Sequence, residues 1–282
     1  MYEIRTIENI TFEEIAETWN SAFSDYVVDT IVTADDVKEY FKTAGVDRSM
    51  SFGAFNNGRL IGMLINSIDE FRGELVAYDA MTGIVPEHRN KGVFSLLFEH
   101  TRNILKQNGL TRYYLEAITE NKNAYAIYAK KGGKICRELS VIEGRIDGES
   151  DFEVRAIPLS NFPKENVSKY EPSFSNRIVA LHRNIDSYQI AYIEDQDRNV
   201  SVIFSENGGV SQLRFGEAQD SDLLRCILTC LSRNFETLRI SNIPITETEL
   251  IDELLKMGFY NLVDQYEAFW GDSFSGEMDG LF

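Results

Sequence analysis

The segment from Thr82 to Phe94 constrains the fold of this chain most strongly, because it has the pattern of a strand that breaks into a short loop and then opens a helix. Apolar residues recur at three- and four-residue spacings from Val93 to Leu105, and Asn108-Gly109 ends the pattern. Strands that alternate with amphipathic helices build α/β folds. The segment therefore predicts a sheet with helices packed against it.

The loop inside this segment is basic and contains a glycine. A loop at a helix N-terminus leaves backbone N–H groups unpaired, and these donors attract an anion together with the helix dipole. Gly92 lets the main chain approach a ligand without a Cβ, while Arg89 and Lys91 add positive charge. The pattern predicts a phosphate site, although taken alone it is also compatible with a solvated turn.

Composition limits the classes of protein and partner. The chain has 282 residues, of which 43% are apolar, and this suggests about two domains. Its formal net charge of -17 argues against nucleic acid, since binding to phosphates needs a basic surface, and mildly favours a cationic acceptor. We find no run of about 20 apolar residues that could cross a membrane and no pattern of a secretion signal, so we expect a cytoplasmic protein.

The cysteines and histidines add no chemistry of their own. The chain has three of each, and neither set has the spacing of a metal site or of a disulfide framework. We therefore expect neither a metal nor disulfide bonds.

The loop resembles the first acyl-coenzyme A motif of the GCN5-related N-acetyltransferase (GNAT) superfamily. In that motif Arg/Gln-x-x-Gly-x-Gly/Ala follows a strand and begins a helix. Arg89 and Gly92 match this pattern, whereas Phe94 occupies the last position, which is usually small.

A second motif of the superfamily is similar to the segment that follows the apolar strand pattern of residues 113–118. In that motif an Asn begins a helix, an Ala and a Tyr face the cofactor, and a Gly-Phe pair ends the helix. The matching residues are Asn121, Ala124, Tyr128 and Gly132, with Gly133 in place of the Phe. Two motifs in this order and spacing extend the resemblance over residues 1 to 143.

The resemblance implies a mixed α/β fold made of two GNAT-like domains. Each would have a central, mostly antiparallel sheet with a splayed strand pair and flanking helices. We expect a catalytic, acyl-CoA-binding domain over residues 1–147, a degenerate GNAT-like domain over 152–271 and a tail over 272–282. The small polar residues at 148–151 mark the boundary.

The second half of the chain repeats the order of strands and helices, but not the chemistry. Carboxylates stand where its phosphate loop would be, and Leu254 stands where the first half has Tyr128. We therefore expect this half to bind no coenzyme. The alternative is an unrelated α+β domain, because the order of elements is weak evidence of homology.

Local patterns predict several helices. Thr11 and Thr33 each have an acidic residue three positions later, the capping-box spacing, and each should begin a helix. A further helix is expected near residues 175–184.

The resemblance also implies which residues hold acetyl-CoA. Main-chain groups of Ile84 and Val85 would bind the pantetheine, and one N–H there would face the oxyanion. The residues expected to hold the pyrophosphate are Arg89, Asn90, Lys91, Gly92, Val93 and Phe94. From the second motif, the residues expected to line the cofactor are Asn121, Ala124 and Tyr128.

Acetyl transfer to an amine needs a base for the ammonium proton and an acid for the departing thiolate. Tyr128 is our candidate acid, although at this spacing it could instead be a core aromatic. Glu116 and Asp79 are candidate bases, because each lies in an apolar strand pattern where a charge is costly without a partner or a cleft. Asp25 and Tyr26 fall where the superfamily has its acceptor loop and could bind substrate or cap a helix.

We therefore expect an N-acetyltransferase that moves an acetyl group from acetyl-CoA to a primary amine, by direct attack in a ternary complex. The second domain would shape the acceptor cleft or an oligomer interface, so a homo-oligomer is possible. The alternative is a non-catalytic acyl-CoA-binding or protein-interaction module.

Overall fold

A computed structural model describes residues 2–25, 31–150, 152–195, 198–215 and 220–271, without the side chains of 122–125 and 195. The described residues form two compact units. The first takes its residues from Met1–Leu115, Gly132–Lys134 and Phe269–Phe282, and the second from Glu116–Lys131 and Ile135–Ala268.

The first unit contains a sheet with helices on it, as the sequence predicts. In sheet order, its strands are β1 (Glu3–Thr6), β2 (Phe52–Asn56), β3 (Arg59–Phe71), β4 (Glu74–Ile84) and the first half of β5 (Tyr113–Ile118). Neighbouring strands are antiparallel except β4 and β5, which are parallel. Its helices are α1 (Phe12–Ala22), α2 (Ala34–Ala44) and α3 (Val93–Gln107).

The two predicted N-caps begin α1 and α2. Thr11 accepts a hydrogen bond from the Glu14 N–H, and Thr33 and Asp36 form a reciprocal capping box. Both helices contribute to a buried apolar cluster with β3 and β4. The predicted starts of both helices are confirmed.

The apolar side of α3 packs against the sheet, and this packing fixes the position of the loop before the helix. Val93 is buried against Ala54 and Ile61, and Leu97 is fully buried. Burying each such side chain contributes about 1.5–3 kcal/mol. The first turn of α3 is therefore anchored next to the end of β4.

β4 and β5 separate soon after they pair. Their ladder joins only Ala77–Asp79 to Tyr113–Leu115, whereas β4 pairs with β3 along its whole length. An extra residue, Ala80, forms a bulge in β4, and its carbonyl accepts a hydrogen bond of 2.6 Å from the Tyr40 hydroxyl. This is the splayed strand pair that the resemblance implies.

The second unit is a further sheet with helices. Its strands are β6 (Lys134–Gly144), β7 (Arg155–Pro158), β8 (Tyr188–Asp195), β9 (Arg198–Ser205), β10 (Gly209–Arg214), β11 (Leu238–Pro244) and β12 (Tyr260–Trp270). They lie in the order β12-β6-β11-β10-β9-β8-β7, and β10 and β11 are parallel. Its helices are α4 (Lys122–Lys130), α5 (Ile178–Leu181), α6 (Ser221–Ser232) and α7 (Thr248–Lys256).

The helix predicted near residues 175–184 is wrong in its length. The chain forms a 3-10 turn at Phe174–Asn176, the four-residue α5 and a second 3-10 segment at His182–Ser187. Asn184 has φ -134° and ψ 50°, which are not helical angles. The sequence predicted a helix in this segment but not its interruption.

β6 belongs with the second unit because of its pairing. It runs antiparallel to β11, with Leu238 opposite Gly144 and Ile240 opposite Ile142. Residues 148–150, where the sequence predicts a boundary, therefore lie inside this unit. The division into repeats over 1–147 and 152–271 stays a prediction, as does the tail over 272–282, most of which lies outside the described residues.

No helix within the described ranges is long and apolar enough to cross a membrane.

Candidate active site

The loop between β4 and α3 has the geometry of an anion site. Pro86–His88 form one 3-10 turn, and Asn90 and Gly92 then take left-handed φ angles of 58° and 79°. Gly92 is the N-cap of α3, and a Cβ added there would meet no atom within 4 Å. The chain thus turns sharply into the helix beside open space.

The main-chain donors of this turn are available. Within the described residues, the N–H groups of Asn90, Lys91, Gly92 and Val93 have no hydrogen-bond partner in the protein. They lie at the N-terminus of a 15-residue helix, whose dipole places partial positive charge there. These groups can accept a phosphate or a diphosphate.

Phe94 does not fill the turn at Gly92. Its ring stacks on Phe98, one turn further along α3, with centroids 5.4 Å apart and an interplanar angle of 20°. Phe98 is fully buried, so the larger side chain at this motif position is part of the apolar packing of the helix.

The Arg89 side chain donates its hydrogen bonds to other groups of the protein. Its Nη1 and Nη2 donate to the two carboxylate oxygens of Asp25 at 2.7 and 2.9 Å, Nη2 also to the Ala22 carbonyl at 2.6 Å, and Nε to the Ile84 carbonyl at 3.0 Å. The hydrogen bonds from Arg89 hold the pKa of Asp25 below its ordinary value. The predicted role of the Arg89 guanidinium at the pyrophosphate stays a prediction, and binding there would require it to exchange these partners. Lys91, in contrast, is exposed and has no ion pair in the described part of the chain.

Of the two residues expected to bind pantetheine, Val85 already has main-chain partners in the protein, and its role stays a prediction. Its N–H donates to the Ile61 carbonyl at 3.0 Å, and its carbonyl accepts from the His88 N–H at 2.9 Å. Because neighbouring residues of a strand point their N–H groups to opposite edges, the Ile84 N–H faces away from β3. Ile84 is therefore the residue that can donate to a ligand beside β4.

Asp79 is a buried carboxyl group on β4. Its side chain accepts hydrogen bonds from the Thr82 hydroxyl at 2.9 Å on Oδ1 and 2.7 Å on Oδ2. The bulge at Ala80 brings these two side chains to the same face. Burial raises the pKa of Asp79 to about 7, against the lowering effect of the Thr82 hydroxyl.

Glu116 lies on the part of β5 that belongs to the second unit. Its Oε2 accepts a hydrogen bond of 2.6 Å from Asn242 Nδ2, whereas its buried Oε1 has no partner among the described residues. Burial, and then the negative charge of Glu267, raise the pKa of Glu116 to about 7. A carboxyl group with this pKa can exchange a proton near neutral pH, as a general base must.

Glu267, the neighbouring carboxylate, is bound differently. It is 1% exposed, and its Oε2 pairs with Arg137 Nη2 at 2.7 Å. Its Oε1 accepts a contact of 3.1 Å from the Cys136 thiol. Arg137 pairs directly with Glu267, and it acts on Glu116 only through its charge, which lowers the pKa of Glu116 less than burial and Glu267 raise it.

The second-motif residues lie on and before α4. Asn121 precedes the helix, Tyr128 is half-buried on it, and Gly132 follows it with φ 83°. The side chain of Ala124 lies outside the described residues, and so does Tyr26. The predicted roles of Asn121, Ala124 and Tyr128 stay predictions.

Sequence reasoning missed two partners of the candidate bases. Thr82 carried a signal, because a threonine three residues after an aspartate can reach it across a bulge. Asn242 gave no sequence signal, because it lies 126 residues after Glu116, the residue that it binds. It is 6% exposed and has φ 60°, at an irregularity in the pairing of β11 with β6.

No group of three or more His, Cys, Asp or Glu side chains in the described ranges could hold a metal ion.

Comparison with known proteins agrees with this geometry. A sequence model described as the Acetyltransferase (GNAT) family matches residues 6–133. N-alpha-acetyltransferase 30 of Schizosaccharomyces pombe is 31% identical over 109 residues, which are 38% of this chain and 71% of that protein. N-alpha-acetyltransferase MAK3 of Arabidopsis thaliana is 25% identical over 118 residues, which are 42% of this chain and 59% of that protein.

Solved structures resemble nearly the whole chain. A putative acetyltransferase from Pyrococcus horikoshii is 13% identical with a TM-score of 0.68, covering 96% of this chain and 90% of that one. A tandem GNAT protein from the clavulanic acid biosynthesis pathway is 12% identical with a TM-score of 0.70, covering 97% and 100%. The predicted fold class, mixed α/β with GNAT-like halves, is confirmed by these likenesses.

Proposed function

This chain belongs to the GNAT family of acetyltransferases and is an acyltransferase enzyme, and on that premise we propose that it transfers the acetyl group of acetyl-CoA to a primary amine. GNAT proteins use acetyl-CoA as the co-substrate. The proposal concerns the donor, the kind of acceptor and the residues that act in this chain.

The single observation that carries the proposal is the set of unpartnered N–H groups from Asn90 to Val93. They fit the diphosphate of coenzyme A, because a helix N-terminus binds phosphate through such donors. The N–H of Ile84 would hold the pantetheine arm at the edge of β4 that no longer pairs with β5. Acetyl-CoA brings the acyl group as a thioester, which an amine can attack directly.

We assign the base role to Glu116 and the acid role to Tyr128. The amine must be neutral to react, so one proton has to leave its nitrogen. Glu116 has a pKa of about 7, and its buried Oε1 has no hydrogen-bond partner among the described residues. Asp79 is less suited, because its carboxyl group already accepts hydrogen bonds from the Thr82 hydroxyl and the Met81 main chain. Tyr128 would donate a proton or a hydrogen bond to the departing sulfur.

The acceptor is a primary amine, and we propose that peptide N-termini be tested first. The two curated relatives are both named N-alpha-acetyltransferases. The net charge of -17 also fits an acceptor that arrives as a cation.

Acetyl-CoA binding is tested by thermal unfolding. A ligand at about 100 times its dissociation constant should stabilise the protein by about 2.7 kcal/mol. Gly92→Ala should remove most of this shift, because its φ of 79° strains any residue with a Cβ. Gly109→Ala is the matched control: φ is 82° there too, at the other end of α3, so the variant should lose basal stability but keep the shift.

Catalysis is tested by the release of free thiol from acetyl-CoA with three acceptors: peptides with a free α-amine, the same peptides with a blocked N-terminus, and small amines. Tyr128→Phe should lower turnover while the acetyl-CoA shift persists. No shift with the unmutated protein would refute the proposal. Binding without turnover on any primary amine would favour the second candidate, a non-catalytic acyl-CoA-binding module.

A further inference from the structure

The side chain of Arg89 connects the end of β4 to the end of α1, and it does so in the loop assigned above to the diphosphate. We infer that Arg89 and Asp25 are positioning residues of this loop, and that Lys91 supplies the side-chain charge for the diphosphate. The inference rests on the proposed function and assigns separate roles to the two basic residues of the motif.

Arg89 has almost no donor left for a ligand. A guanidinium has five N–H groups, and four hydrogen bonds from Arg89 go to the Asp25 carboxylate and to the carbonyls of Ala22 and Ile84. The pairing with Asp25 is bidentate, which fixes the orientation of both groups as well as their separation. To bind the diphosphate, Arg89 would have to give up contacts that hold the loop to α1.

The charge of Arg89 is also neutralised locally. Asp25 lies 2.7 Å from Nη1, so the pair as a whole presents little net charge to an anion. The side chains are 36% and 58% exposed, respectively, and an exposed pair contributes little to overall stability. Its effect should therefore be on the shape of the loop, where the two carbonyl contacts add to the ion pair.

Lys91 has the opposite properties. It lies between the left-handed residues Asn90 and Gly92, it is exposed, and no described carboxylate pairs with it. Its ammonium group can move to a phosphate without breaking a contact inside the protein. An ammonium acts on phosphate as a point charge, and this needs no fixed orientation.

The two alternative roles of Arg89 predict opposite effects of Asp25→Asn on the affinity for acetyl-CoA. If Arg89 contacted the diphosphate directly, removal of the nearby negative charge would tighten acetyl-CoA binding. If the pair positions the loop, Asp25→Asn should weaken binding about tenfold, as expected for the loss of a charged hydrogen bond. Arg89→Lys should weaken it by a similar factor, because lysine keeps the charge but lacks the fork that reaches all three partners.

The experiment is calorimetric titration of acetyl-CoA into the full chain and into Asp25→Asn, Arg89→Lys, the double variant and Lys91→Ala. The double variant should be no weaker than either single one, because both changes break the same contact. Lys91→Ala should weaken binding at low salt and less so at high salt. Acetyl-pantetheine, which lacks the diphosphate, should bind all of the variants equally well.

Several results would overturn the inference while leaving the proposed function intact. They are tighter acetyl-CoA binding by Asp25→Asn, unchanged binding by Arg89→Lys, and additive losses in the double variant. If the unmutated protein binds acetyl-pantetheine and acetyl-CoA equally, the loop does not bind the diphosphate. This inference and the assignment of the loop to the diphosphate then fail together, whereas acetyl transfer itself is still open to the thiol-release assay. If the unmutated protein binds neither, the proposed function fails as well. Melting curves without ligand confirm that each variant is folded.

Discussion

Asp79 in the first unit and Glu116 in the second are two carboxyl groups with the same pKa and different surroundings. Burial is the main cause in both, and it raises each pKa to about 7. The Asp79 carboxyl group accepts a hydrogen bond from the Thr82 hydroxyl, which lies within reach of both of its oxygens, and from the Met81 main chain. Glu116 accepts a hydrogen bond from Asn242 on Oε2, and Arg137 and the Ser173 hydroxyl also favour its ionised form, whereas its Oε1 has no hydrogen-bond partner among the described residues.

The comparison teaches that a raised pKa alone does not identify a base. A carboxylate whose oxygens are already hydrogen-bonded is stabilised by the folded protein. A carboxylate with a buried oxygen that lacks a hydrogen-bond partner is destabilised, because it has lost its contacts with water and nothing replaces them. Such destabilisation is typical of groups kept for a reaction. We therefore expect the two sites to respond differently in activity and similarly in stability.

The largest expected difference is in turnover. Glu116→Gln should lower kcat about 100-fold or more, because a general base contributes roughly 10²–10⁴ in rate. Asp79→Asn should lower kcat less than tenfold, because it would affect the reaction only through a small shift of β4. Both values come from steady-state thiol release at saturating acetyl-CoA. A larger loss in Asp79→Asn would reverse the assignment of the base.

The pH dependence of turnover separates the two groups next. If Glu116 is the base, kcat should rise about tenfold per pH unit below pH 7 and level off above it, because only the ionised form accepts a proton. Glu116→Gln should flatten this rise, and Asp79→Asn should keep it. A profile that flattens in Asp79→Asn instead would contradict the comparison.

Stability should depend on pH through both groups alike. Between about pH 4 and pH 7 each group is protonated in the folded state and ionised in the unfolded state, so the folded state binds more protons. The free energy of unfolding should therefore fall as pH rises through this window, by up to about 1.4 kcal/mol per pH unit for each group. Urea unfolding at pH 5 and pH 8 measures the slope, and Asp79→Asn or Glu116→Gln should each reduce it. Equal slopes in the variants and the unmutated protein would mean that neither pKa is raised.

The smallest expected effect concerns Thr82. Thr82→Val removes the hydroxyl that donates to Asp79 and should cost about 1–2 kcal/mol at pH 8, where Asp79 is ionised. The cost should be smaller at pH 5, where the carboxyl group is protonated. Thr101→Val is a suitable control, because Thr101 is buried and its hydroxyl has no hydrogen-bond partner among the described residues. Its cost should not change with pH.

Much of the first unit could be predicted because its signals are local. Thr11 and Thr33 begin their helices by bonding main-chain groups three residues away, and Gly92 and Asn90 turn the chain within one loop. Apolar spacing similarly marks the side of α3 that is buried. In each case the residue and its partner are neighbours in sequence, so the pattern contains the interaction.

The roles of individual side chains were harder to predict, because their partners are distant in sequence. Arg89 meets Asp25 and Ala22 more than 60 residues earlier, and Glu116 meets Asn242 126 residues later. Residue type and spacing do not show which polar groups will already be bound to each other. For that reason Arg89 was expected at the diphosphate and Val85 at the pantetheine.

Local sequence patterns predict the fold family, the place of the phosphate loop and the groups that could accept or donate a proton, because these depend on backbone conformation and residue chemistry within short segments. The folded chain adds what no local pattern contains: β6 pairs with β11, Arg89 is bound to Asp25 and, among the described residues, Glu116 Oε1 has no hydrogen-bond partner. These are contacts between distant segments, and their free energy depends on burial and geometry that exist only once the chain has folded.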